Sequence, residues 1–205
     1  MKYLFYVLGL VLLSMGIALM ILSKLGTSPF DALLVGLAVN VGLTVGSWEV
    51  IVAAILIGCN ALLKKQRPEM LGIVTAIIVG IGIDSWLFLL SGSITPIEYY
   101  SQTLYFGIGL LVMGIGTAMY LHTNFAPIPV DHLTLILKEL TKTNLFVSRT
   151  IIYVVFLMLA VLFSGPIGVG TVLTVCLGGL ILNAFMPVTA RTLDRVLLPK
   201  STVVS

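Results

Sequence analysis

Charge is the scarcest thing in this sequence. Lys, Arg, Asp and Glu make up 9% of its 205 residues, where soluble domains carry about 25%. So few charges cannot cover a water-facing surface, which excludes an ordinary soluble globular protein. The net charge is only +3 and is gathered at loops and ends, without the basic face that nucleic-acid binding needs. Cysteine and histidine number two each. Cys59 and Cys176 lie in separate apolar runs with no partner at ligand spacing, which excludes a disulfide framework or a zinc pattern and predicts two buried apolar thiols. His122 and His132 bracket one short segment and read as structural. A Gly-x-Ser-x-Gly motif is absent, and Gly168-x-Gly170 lacks the Lys and Ser/Thr of a phosphate loop. No hydrolytic, metal-dependent or phosphotransfer site is legible, so no enzyme activity, cofactor or metal is expected.

What the sequence does have is apolar length. Hydrophobic residues make up 59% of the chain, with a mean hydropathy of +1.18. Stretches near 3–23, 45–63, 70–91, 104–121, 146–164 and 167–188 are each apolar enough to cross a core of about 30 Å, which takes about 20 helical residues. The first run, Tyr3 to Leu22, is long for a signal-peptide core and no small-x-small cleavage site follows it. It reads as the first membrane helix. The fifth carries Arg149 near one end, where a long side chain reaches the headgroups. Lys64-Lys65-Gln66-Arg67-Pro68 closes the second span, and Ser164-Gly165-Pro166 joins the last two.

Two further segments are helical in pattern but too short to span. Residues 29–42 begin Pro-Phe-Asp, and 129–141 begin Pro-Val-Asp and contain His132, Lys138 and Glu139. Each makes about 20 Å of helix, and such charges are costly against lipid. Both are expected to re-enter the protein or lie along the interface.

The two halves repeat. Gly9 and Met15-Gly16-Ile17 match Gly107 and Met113-Gly114-Ile115; Pro29 and Asp31 match Pro129 and Asp131; Glu49 stands where Arg149 does, and Asp84 where Asn183 does. Three spans per half force the halves into opposite orientations. With the N-terminus in the cytoplasm, Lys24 is the one basic residue placed outside, and the other ten of the eleven Lys and Arg fall inside. Letting the short segments span spoils this asymmetry. The expected architecture is therefore an all-α polytopic membrane protein of six spans plus two short re-entrant or interfacial helices, in two inverted-topology repeats. Residues 1–95 form the first repeat, with its short segment at 28–42. Residues 96–205 form the second, with its short segment at 127–141 and a short cytoplasmic tail.

Inverted repeats with broken or re-entrant helices are the architecture of many secondary transporters, whose sites lie at half-helix ends near the midplane. Proline is tolerated in a first helical turn. Ser28 is a candidate N-cap, and Asp31 and Asp131 fall in first turns, where a carboxylate meets the positive end of the helix dipole. Ile128 has no capping side chain, which leaves that role to Asp131. These carboxylates are expected either to cap their helices or to bind a substrate or ion. Asp84 lies within an apolar span and is a candidate for proton coupling or cation binding. Asn183, its counterpart, suits a hydrogen bond between helices. Glu49 and Arg149 are expected on opposite faces of the membrane as interfacial residues or a gate. The pairs Gly109 with Gly114 and Gly116, and Gly178-Gly179, are expected to let helices approach closely.

The run Gly26-Thr27-Ser28-Pro29-Phe30-Asp31-Ala32-Leu33, then Leu43-Thr44-Val45-Gly46-Ser47-Trp48, then Gly80-Ile81-Gly82-Ile83-Asp84 resembles the YczE/YyaS/YitT-type bacterial integral membrane proteins. YczE-like members look most similar, with Trp expected where Phe30 stands and Thr where Ser47 stands. The resemblance covers nearly the whole chain. It implies a multi-pass protein of the bacterial plasma membrane and supplies no substrate.

The function expected is secondary-transporter-like movement of a small solute by alternating access, with Asp31, Asp131 and Asp84 as binding or coupling groups and Ser28 and Asn183 as further candidate binding residues. The alternative is a non-transporting membrane scaffold or accessory subunit, and an intramembrane enzyme is a third, weaker class. The expected partners are the lipid bilayer and a small solute or coupling ion. A homodimer is left open, and both termini are expected in the cytoplasm.

Overall fold

Apolar runs punctuated by caps and left-handed turns give eight α-helices among the described residues of the computed structural model. Those residues are 2–92, 96–123 and 125–197, with 145–146 and 193–197 described by their backbone alone. The helices are α1 (Lys2–Ser23), α2 (Pro29–Asn40), α3 (Val45–Lys64), α4 (Leu71–Ser91), α5 (Tyr99–His122), α6 (Pro129–Thr141), α7 (Leu145–Leu162) and α8 (Val169–Leu197). Helices α1, α3, α4, α5 and the Val169–Thr192 part of α8 are long and apolar enough to cross a membrane. The sixth expected span is α7, whose 18 residues make about 27 Å of helix. The chain is thus an all-helical polytopic membrane protein. The short segments are helices of 12 and 13 residues, about 18–20 Å long. The expected tail position Lys200 lies outside the described residues.

The helix boundaries have local causes. Ser28 caps α2, its Oγ accepting from the Asp31 N–H at 3.1 Å, with Pro29 in the first turn. Thr44 Oγ1 accepts from the Ser47 N–H at 3.1 Å to start α3, and Asn144 Oδ1 accepts from the Val147 N–H at 2.8 Å to start α7. Lys65 and Lys142 end α3 and α6 in the left-handed region, with φ of 53° and 54°. Two boundaries differ from expectation by more than two residues: α5 starts at Tyr99, ahead of the expected 104, and α8 continues past residue 188 to Leu197, through Pro187. Proline has no N–H to offer the carbonyl of Asn183 four residues back.

Packing is organised around α1 and α5, which cross so closely that glycine is required. A Cβ on Gly116 would lie 2.6 Å from the carbonyl oxygen of Gly9, and one on Gly16 would lie 2.6 Å from that of Gly109. Gly9 meets Gly116 and Gly16 meets Gly109, so the two helices run antiparallel. Around this pair α1 packs on α4 and α5 on α8; α2 packs on α7 and α3, and α6 on α3 and α7. One apolar cluster joins α2, α3 and α7 through Phe30, Leu34, Val52, Ile152 and Phe156. A second joins α1, α4 and α5 through Tyr6, Leu10, Leu13, Val79, Ile83 and Tyr120.

Two packing expectations fail. Cys59 and Cys176 are exposed rather than buried, among outward apolar side chains such as Ile55, Phe88 and Leu180. On a chain this apolar the outer surface is covered by lipid, so outward positions need not be polar. Gly178 and Gly179 are not close-approach points, since a Cβ on either would meet nothing within 4 Å.

Candidate functional site

The N-terminal ends of α2 and α6 open onto one cavity, with about 810 Å³ of empty space including its mouth. It lies where the two apolar clusters meet. Leu13, Ile17 and Val79 form one wall and Phe30 and Val130 another, with α7 and α8 completing the lining through Tyr153 and Thr174. Ser28 and Asp31 reach it from α2, Glu49 from α3, Asp131 from α6 and Arg149 from α7.

The two Pro-x-Asp motifs do different chemistry there. Ser28 Oγ donates to Asp31 Oδ2 at 2.6 Å while accepting from the Asp31 backbone. Asp31 is therefore tied to its own helix start, and it is buried at 5% exposure. At α6 no side chain caps the helix, so the capping role expected of Asp131 is not what it performs. Asp131 instead accepts the Tyr120 hydroxyl through Oδ2, and its Oδ1 lies 4.0 Å from Arg149 Nη2. The physical reason is that α5 and α7 bring a phenol and a guanidinium to the first turn of α6. Arg149 also donates from Nε to the Tyr153 hydroxyl at 3.1 Å and lies over that ring, 5.4 Å from its centre.

Glu49 and Arg149, expected on opposite membrane faces, both line this cavity. Glu49 is 2% exposed and makes no hydrogen bond among the described residues. Asp84 lies elsewhere: Oδ2 accepts from Thr44 Oγ1 at 2.6 Å and Oδ1 from the Gly46 N–H at 2.8 Å. It holds the start of α3 from the neighbouring helix. Asn183 is exposed on α8 and is not brought to Asp84 or to the cavity. Ser28, Asp31, Glu49, Asp131 and Arg149 thus come together, and Asp84 and Asn183 do not join them.

Tyr120, Tyr153, Thr117 and Thr174 also face the cavity and were not singled out in the sequence. Tyr153 carried a usable signal, since it stands four residues after Arg149 on one helical face. The others are single hydroxyls in apolar helices and carried none. A second, smaller hollow of about 360 Å³ lies between α3, α4 and α6, bordered by Asn60, Lys64, Arg67, Glu69 and His132. There His132 Nδ1 is 3.4 Å from Glu69 Oε2, and Asn60 donates to the Pro129 carbonyl at 3.0 Å. No group of His, Cys, Asp and Glu suited to a metal ion occurs among the described residues.

A family model described as a family of unknown function, DUF6198, matches residues 1–187. The "Uncharacterized protein YyaS" of Bacillus subtilis is 56% identical over 191 residues, covering 93% of this chain and 95% of its own length. The "Uncharacterized membrane protein YczE" of the same organism is 32% identical over 195 residues, covering 95% of this chain and 89% of its own. A Haemophilus influenzae "Uncharacterized protein" is 27% identical over 187 residues, covering 89% of this chain and 82% of its own. No solved structure matches.

Proposed function

The chain belongs to the DUF6198 family, and from that premise we propose that it is a secondary-transporter-like protein carrying a small solute by alternating access. The observation that carries this reading is the meeting of two short helix starts, each with a Pro-x-Asp, at one cavity between two packed clusters. Half-helix ends at a central cavity are the usual site in such carriers.

On this reading the halves are inverted repeats and α2 and α6 are re-entrant. Support comes from matched packing: α1 sits on α4 as α5 sits on α8, and α2 meets α3 and α7 as α6 meets α7 and α3, while the contact of α3 with α4 has no comparable counterpart between α7 and α8 among the described residues. The antiparallel α1–α5 crossing fits opposite orientations. The basic-residue asymmetry supports an orientation in the bacterial plasma membrane with both termini in the cytoplasm. The role is binding and passage, without an enzymatic step. A scaffold or accessory subunit is the competing reading, favoured by the outward apolar flank of α8, where Val169, Val172 and Leu180 are exposed.

The test is flux into proteoliposomes of solutes that first stabilise the purified protein against heat, as a bound ligand must. Asp31→Asn and Asp131→Asn, each still folded, are expected to lose flux. Undiminished flux with both neutralised overturns the site, and a stable co-purifying partner with no flux for any stabilising solute favours the scaffold.

A further inference from the structure

The charge lining the cavity does not balance, and the imbalance names a ligand class. Three carboxylates, Asp31, Glu49 and Asp131, face it against one guanidinium, Arg149. A helix start carries roughly half a positive charge, and two such starts open here, each with its own aspartate in the first turn. With all three ionised, Arg149 and the two helix starts together would offset about two of the three negative charges. One is left over.

Hydrogen bonding says which. Asp31 holds Ser28, and Asp131 holds Tyr120 and faces Arg149. Glu49 is 98% buried by its 2% exposure, lines the cavity and has no hydrogen-bond partner among the described residues. A carboxylate so placed keeps its charge only beside a cation, and no ion pair to Glu49 occurs among the described residues, which leaves it open to a cation that enters the cavity.

Resting on the reading of this cavity as a solute site, we propose that its ligand is a small organic monocation, a protonated primary amine with an apolar body. The ammonium sits against Glu49, and Leu13, Ile17, Val79 and Met113 receive the carbon chain. A hard metal cation takes about six oxygen ligands; an alkylammonium asks for fewer and also uses the apolar wall.

The test is thermal melting of the full purified chain with ethylammonium through n-hexylammonium. Alcohols and carboxylates of equal length, and sodium chloride at equal ionic strength, serve as comparators. At least one ammonium in the series is expected to raise the melting temperature saturably, with the matching alcohol and carboxylate inactive. Glu49→Gln, close to isosteric, is expected to weaken that ammonium at least about thirtyfold while melting no lower than the parent without ligand. Glu49→Asp, which keeps the charge, is expected to retain part of the affinity. Stabilisation by alcohols or sodium equal to that by ammonium overturns the proposal, as does full affinity in Glu49→Gln. The wild-type comparison of ammonium with alcohol decides even if a variant does not fold. Ammonium binding without flux supports this assignment and sinks the transport reading; a carboxylate that binds and is carried does the reverse.

Discussion

Asp31 and Asp131 occupy matching positions after matching prolines, yet their neighbours divide their work. Ser28 satisfies Asp31 from within its own helix start. Ile128 has no such group, so Asp131 is free to take the Tyr120 hydroxyl and face Arg149. Tyr120 is 1% exposed, and a phenol there without its acceptor would be a buried unmet donor. Tyr120→Phe removes the donor and leaves Asp131 Oδ2 without it, and is expected to cost about 1–2 kcal/mol of stability, read as a lowered melting temperature. Ser28→Ala is expected to cost about 1 kcal/mol through loss of the α2 cap and to leave Asp31 without its donor. A melt unchanged in both variants would remove these contacts from the account of how the site is held.

Helix contacts decide which of the small and polar residues matter. Gly116→Ala places a Cβ against the Gly9 backbone, where neither partner has a side chain to rotate away. It is expected to cost roughly 1–3 kcal/mol through forced separation of α1 and α5. Gly178→Ala meets nothing within 4 Å and is expected to be neutral within about 0.5 kcal/mol. Equal melting of the two variants would contradict the crossing. Asp84 acts at this scale too. Its two hydrogen bonds hold the start of α3, so Asp84→Ala is expected to lower stability by about 1–2 kcal/mol. It should leave solute binding in the central cavity unchanged, which a ligand titration of the variant checks.

For the whole molecule the open matter is orientation. Antiparallel α1 and α5, with α1 packed on α4 and α5 on α8, lead to a definite labelling result in a variant with Cys59 and Cys176 replaced by alanine. Single cysteines at Val41, after α2, and at Glu139, near the end of α6, both exposed positions, are expected to react with a membrane-impermeant reagent from opposite sides. Lys65 is expected to share the cytoplasmic side with Glu139. Reaction of Val41 and Glu139 from the same side would end the inverted-repeat reading.

Hydropathy and charge are properties of a segment, and the segment-level features were therefore legible in the sequence. The all-helical membrane character, the spans, the shortness of α2 and α6 and the Ser28 cap follow from residues within a turn or two of one another. Convergence is different. Glu49 and Arg149 lie 100 positions apart, and their hydropathy context suggests opposite faces; the crossing of α1 and α5 and the packing of α2 on α7 bring them to one cavity. Asp84 has the same intramembrane signature as a functional carboxylate, and a neighbouring helix start absorbs it instead. Which carboxylates are satisfied and which is left over depends on partners from other helices, and only tertiary packing chooses those partners.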